Sequence, residues 1–272
     1  IAILGIGNEE NNTTLSSIFN TDSVFNYTYY PVNQLNYSLV KSSNLLVMND
    51  LDAVNSGLSK SIKSFLDNGG NLLVFPSNKI DYDSYREFLS LLNVNYYISQ
   101  DTAKNKVREI NITHPIYANV FEGKPANDIN LPLVSSHYLI STATTAFKNN
   151  LLTLKDGSPF LTEYKVGKGT IYLSMVSLAK ESSNFSNHAL FVPTLYNIAL
   201  LSQKNYPLFH VIGDNSTIDL NRSENDNVYH IKNKEIDIIP RVRSTNSNTT
   251  VFINSEIEKA GNYVLENELT KI

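Results

Sequence analysis

The chain has 272 residues, 42% hydrophobic and 18% charged, enough for one large or two ordinary folded domains. Its 22 basic and 26 acidic side chains nearly cancel to a formal net charge of -4, which argues against a nucleic-acid surface. The absence of cysteine excludes disulfides, thiolate metal sites and cysteine nucleophiles, and no run approaches the roughly 18 apolar residues of a membrane span.

Ile1-Ala2-Ile3-Leu4 reads as a buried strand that runs into Gly5-Ile6-Gly7, and Leu15, Ile18 and Phe19 place a helix after it. A strand, a glycine pair and a helix invite a dinucleotide-binding reading, with phosphate on the helix N-terminus. Glu10 stands where the third glycine of that fingerprint belongs, and its carboxylate would repel a pyrophosphate. The favoured alternative is a tight turn by which the backbone leaves the strand, and no cofactor is expected. Phe25 to Val32 is the second strand; Leu35, Leu39 and Val40 outline a short helix.

The centre of the chain is Asn44 to Ser77. Leu45-Leu46-Val47-Met48 and Leu72-Leu73-Val74-Phe75 are the continuous apolar runs that strands buried on both faces need. Between them Leu58, Ile62, Phe65 and Leu66 form one helical stripe opening near Ser56, and Asn68-Gly69-Gly70 stops it. This is a right-handed parallel βαβ unit. In such sheets ligands gather at the carboxyl ends of the strands, so Gly7, Asn49, Asp50 and Ser77 are the candidate site residues.

Ser84 with Glu87 forms a capping box for a helix carrying Phe88, Leu89 and Leu92. From Asn93 to Leu131 the pattern weakens to one or two strands and a surface excursion that holds His114-Pro115-Ile116 and Phe121-Glu122-Gly123. Leu133 to Ile140 is a strand carrying His137. Three more strands follow, Leu151 to Leu154, Phe160 to Tyr164 and Thr170 to Met175, joined by glycine-containing turns. Leu190 to Leu201 is a helix with Pro193 in its first turn or at a kink. Past Tyr206-Pro207 short β-branched segments alternate with polar turns: Leu208 to Ile212, Thr217 to Leu220, Val228 to Ile231, Glu235 to Ile239, Thr249 to Ile253 and Asn262 to Leu265. The division is therefore an α/β domain over 1–203, mostly parallel and flavodoxin-like with helices on both faces, and a small β-sandwich-like module over 207–272. The chain begins inside a strand and stops without an obvious ending, so it is expected to be an excised piece and the module to be truncated.

Little at the strand ends promises chemistry. His114, His137, His188, His210 and His230 are scattered singly, with no pair at metal-ligand spacing. The 16 tyrosines and 12 phenylalanines are core formers before they are a sugar platform.

The order of elements resembles the class I glutamine amidotransferase-like fold. Asn44 to Pro76 with Gly69-Gly70, then His114-Pro115-Ile116, Gly167-Lys168-Gly169 and His188-Ala189-Leu190-Phe191-Val192-Pro193, are similar to the amidotransferase-like domain of Bacteroidetes membrane proteins with an N-terminus of the aerotolerance-regulator (BatA) type. The resemblance covers about residues 1–202. Active members of the fold place a cysteine on the turn that is Phe75-Pro76-Ser77-Asn78 here. With no cysteine to carry over, the resemblance implies a non-catalytic domain that binds a protein or small molecule, on the extracytoplasmic side of a membrane, tethered by segments outside this chain. Two alternatives stand beside it: a divergent hydrolase using Ser77 with His137 or His188 as base, and carbohydrate binding, since the fold also resembles the ThuA-like group.

Overall fold

A computed structural model describes residues 1–7, 12–118, 120–121, 129–142, 146–203, 209–212, 216–221, 228–244, 248–253 and 257–267. By contact the chain divides into two units, Ile1–Lys204 and Asn205–Ile272. Glu10, Glu122-Gly123, Tyr206-Pro207 and Leu208 lie outside the described residues.

The first unit opens with β1 (Ala2–Gly7), α1 (Asn12–Phe19), β2 (Asn26–Pro31), α2 (Tyr37–Ser42), β3 (Leu45–Leu51), α3 (Ser56–Asp67), β4 (Asn71–Pro76) and α4 (Tyr82–Leu91). It continues through β5 (Tyr97–Asp101), β6 (Asn105–Ile110), β7 (Leu133–Val134), β8 (His137–Ile140), β9 (Lys148–Leu154), β10 (Pro159–Val166), β11 (Gly169–Ser174) and α5 (Phe191–Leu201). Nine strands form one sheet in the order β2-β1-β3-β4-β11-β10-β9-β6-β7. The first five are parallel, in the flavodoxin-like order with its switch point between β1 and β3. The last four are antiparallel. Strands β5 and β8 pair separately.

Alternate residues of each central strand face opposite sides, so the sheet separates two cores. Ile3, Val47, Leu73 and Phe75 pack with α1 and α5; Leu4, Met48, Leu72 and Val74 pack with α2, α3 and α4. Helix α3 shows why the central unit forms. Asn55 caps its start by accepting from the Leu58 amide, and burying Leu58, Ile62, Phe65 and Leu66 contributes roughly 1.5–3 kcal/mol each. Gly69 ends it at φ +86°, a conformation that costs glycine nothing.

Several expectations are corrected. Gly5-Ile6-Gly7 is not a turn, because β1 runs through Gly7. A β-carbon on Gly7 would sit 1.9 Å from the Asn49 carbonyl oxygen, so this glycine serves the close approach of β1 and β3. The capping box is absent. Asp81 caps α4 instead, while the Ser84 hydroxyl bonds both the amide and the carbonyl of Val54. Leu133 to Ile140 is two strands, broken where the Ser135 and Ser136 amides turn to the Ser182 carbonyl. His114-Pro115-Ile116 is no surface excursion: Ile116 and Tyr117 are buried against α5, where Asn197 holds the Ile116 carbonyl at 2.6 Å and Tyr117 meets Thr194.

The second unit contains β12 (Ser216–Asn221), β13 (His230–Lys232), β14 (Asp237–Ile238), β15 (Arg241–Ser244), β16 (Asn248–Ile253) and β17 (Val264–Glu266). Two antiparallel sheets, β12-β16-β15 and β14-β13-β17, close over Leu220, Tyr229, Ile231, Val251 and Leu265. Phe209, Val211 and Ile212 are exposed and outside any strand, against the expectation for Leu208 to Ile212. Strand β15 was not expected, since arginine supplies half of its four residues.

Candidate functional site: the strand-end cleft

At the carboxyl ends of β3, β4 and β11 an open cleft encloses about 480 Å³. Asp50 and Asp52 reach it from β3, Ser77 and Lys79 from β4, and Lys180 and Glu181 from the loop after β11. Thr14 in the first turn of α1 adds a hydroxyl.

Of the four residues expected from sequence, Asp50 and Ser77 line this cleft. Gly7 and Asn49 do not: they are register partners at the ends of β1 and β3, and Asn49 is buried. Asp50 stands at φ 58°, in the left-handed region, where the β3–β4 register shifts between Asn49 and Leu51. Such an irregularity re-aims a side chain at a strand end. Missed from sequence were Asp52, Lys79, Lys180 and Glu181. The strand-end rule that picked out Asp50 reaches the residues after β11 only once β11 is known to lie parallel beside β4.

The rim is held from beneath by tyrosines. Tyr85 donates to the Leu51 carbonyl at 2.9 Å, Tyr138 to that of Ser77 at 2.7 Å, and Tyr97 to that of Ser174 at 2.6 Å. These three carbonyls belong to the ends of β3, β4 and β11. The rings pack on one another, with centroids 5.5 Å apart for Tyr85 and Tyr97 and 5.0 Å for Tyr97 and Tyr138. Burial, aided by neighbouring Tyr82, pushes the Tyr138 phenol up to about 12, so it remains a hydrogen-bond donor at neutral pH. From above, Asn78 donates to Glu181 at 2.9 Å and accepts from Ser182.

Ser77, the nucleophile of the hydrolase alternative, is buried. Its hydroxyl accepts from the Lys79 amide at 3.4 Å and meets no histidine. His188 is committed elsewhere, accepting from the Leu190 amide and lying 3.2 Å from the Asn130 carbonyl; burial lowers its pKa, and Lys106 adds to the effect. His137 is fully buried, and neither ring nitrogen has a partner among the described residues. Among those residues, no group of three or more His, Asp or Glu is placed to hold a metal ion.

No family model and no curated protein matches the chain. Solved structures do. A cytoplasmic protein of Salmonella typhimurium LT2 matches at TM-score 0.58 and 13% identity over 75% of this chain and 100% of its own. A putative ThuA-like protein of Bacteroides uniformis matches at 0.52 and 13%, over 72% and 88%. A β-galactosidase of Rahnella sp. R3 matches at 0.51 and 13% over 92% of this chain, which spans 40% of that enzyme. At these identities the likeness is one of fold: the chain has the flavodoxin-like α/β architecture that the ThuA-like protein shares.

Proposed function

We propose that this chain is a non-catalytic binding domain, an amidotransferase-like scaffold that presents a polar cleft to a protein or small-molecule partner. The observation that carries the reading is Ser77. The position that would hold a nucleophile holds a buried hydroxyl that accepts from the Lys79 backbone amide, with no base beside it among the described residues. A fluorophosphonate probe, which labels activated serines, is expected to leave the protein unmodified; labelling that disappears in Ser77→Ala would establish the divergent hydrolase instead.

The domain works on the extracytoplasmic side of a membrane protein of the BatA type, tethered by segments outside this chain. The order of motifs from Asn44 to Pro193 supports this placement. No helix among the described residues is long and apolar enough to cross a membrane. In cells producing the full-length protein, the domain is expected in the membrane fraction and open to protease in spheroplasts; recovery in the soluble cytoplasmic fraction would refute the tether. Carbohydrate binding is a second reading, favoured by the ThuA-like fold likeness and the polar lining.

A further inference from the structure

We infer that two copies of this chain pair through β2, antiparallel about a two-fold axis at Thr28, so that the sheet continues from one copy into the next. Among the described residues β2 is an outer strand, with no strand beside it on the side away from β1. Outer strands invite pairing with other chains, and folds blunt them with charge, bulges or cover. The opposite edge of the same sheet is covered: Val134 of β7 bridges to Ser183, and the Ser135 and Ser136 amides go to the Ser182 carbonyl. In the second unit the outer strands β14, β15 and β17 carry Asp237, Arg241 with Arg243, and Glu266. Strand β2 has no charged residue, and its register with β1 runs without a bulge. In a chain with 18% charged residues, Asp22 is the only Asp, Glu, Lys or Arg from Asn12 to Val40, and Tyr196 donates to it at 2.7 Å.

The backbone of this edge is complementary to itself. The Asn26 amide donates inward to the Ile1 carbonyl, so Asn26, Thr28 and Tyr30 turn their backbone groups toward β1 and the residues between them turn theirs outward. With the axis at Thr28, the residues flanking it exchange paired hydrogen bonds with the second copy. The two Thr28 side chains then meet as a non-hydrogen-bonded pair, with Cα atoms about 4.5 Å apart. The next outward positions, Phe25 and Pro31, lie opposite each other in this register. The Phe25 amide is already given to the Asp22 carbonyl and proline has no N–H, so no donor is stranded at either end of the pairing. Exposed Val24 and Tyr37 add apolar surface beyond the two ends of the strand. A charged peptide or an anionic lipid surface would find no opposite charge from Asn12 to Val40 apart from the bonded Asp22, whereas a two-fold contact needs only a surface that matches itself. Pairing through β2 does not depend on what the cleft binds or on Ser77.

The test is sedimentation equilibrium of the whole chain over a concentration series, at low and high salt. A reversible monomer–dimer equilibrium is expected, with a dissociation constant nearly independent of salt because no charge faces another across the axis. Thr28 is exposed, and Thr28→Lys or Thr28→Glu sets like charges directly opposite each other; each should weaken the dimer roughly fivefold. Mixing the two variants sets lysine opposite glutamate and should restore association as a mixed dimer, which a folding defect could not do. A parent that stays monomeric throughout, or a dimer indifferent to both substitutions, overturns the inference. So does a mixture no tighter than its parts, which would mean that the substitutions damage the strand and not a contact at the axis.

Discussion

Glu163 and Asp52 are carboxylates of one α/β unit in opposite circumstances. Glu163, on β10, has 6% of its side chain exposed, and both of its oxygens are taken. Oε2 lies 3.1 Å from His114 Nε2 and 3.3 Å from Asn149, while Oε1 lies 3.0 Å from Lys165, whose ammonium also donates to Thr170. His114 Nδ1 accepts from the Ile116 amide, which leaves Nε2 as the donor to Glu163. Every group there has a partner within the fold. Asp52 is exposed, lines a cleft and has no cationic partner among the described residues, although Lys79 and Lys180 line the same cleft. Closed polar networks hold a structure together. Among the described residues Asp52 has no such network to hold it.

The sharpest break of that contrast comes from Glu163. Burial alone would raise its pKa, but the bonds from His114 and Lys165, the charge on Lys165 and the bond from Asn149 outweigh burial and hold it at about 2. Because the folded value lies below the unfolded one, the carboxylate stabilises the fold above about pH 4.5, and that contribution drains away as pH falls toward 2. The shift corresponds to about 3 kcal/mol. Glu163→Ala should therefore cost about 3 kcal/mol at pH 7 by denaturant unfolding, because it also strands the buried His114 N–H. Glu163→Gln keeps an acceptor for His114 and should cost roughly half as much. It should also lose less stability than the parent between pH 4.5 and 2. Asp52→Asn is expected to change stability by less than about 0.5 kcal/mol. Equal losses for Glu163→Ala and Asp52→Asn would erase the distinction.

What the sequence discloses follows the range of the interaction. The β3-α3-β4 core is legible because its signals are local: two continuous apolar runs, one helical stripe and a terminal glycine that takes φ +86°. Asp50 and Ser77 are legible by the rule that sites gather at strand ends. Lys180 and Glu181 lie about a hundred residues from Ser77, and only the pairing of β11 beside β4 brings them to the same cleft. The tyrosine supports are likewise non-local: Tyr97 and Tyr138 look like ordinary core aromatics until β5 and β8 are seen to pair. Periodicity also misplaced boundaries where a side-chain cap or a backbone bond from a distant loop decides them. Asp81 displaced Ser84 as the cap of α4, and the Ser182 carbonyl split the apolar stretch from Leu133 to Ile140.

A smaller effect sharpens the contrast within the cleft. Tyr138→Phe keeps the ring against Tyr97 and Tyr82 but leaves the Ser77 carbonyl without its phenol donor, at a cost of about 1–2 kcal/mol. Part of that loss should be local, because the turn from Ser77 to Lys79 is otherwise tied only by the Asn78 side-chain bonds to Glu181 and Ser182 and a long 3.4 Å bond between the Lys79 amide and the Ser77 hydroxyl, among the described residues. Amide hydrogen exchange at residues 77–79 should then accelerate by more than the global destabilisation predicts, while α3 follows the global value. Uniform acceleration across the unit would make Tyr138 an ordinary core residue. Selective acceleration would tie the buried phenol to the order of the rim above it.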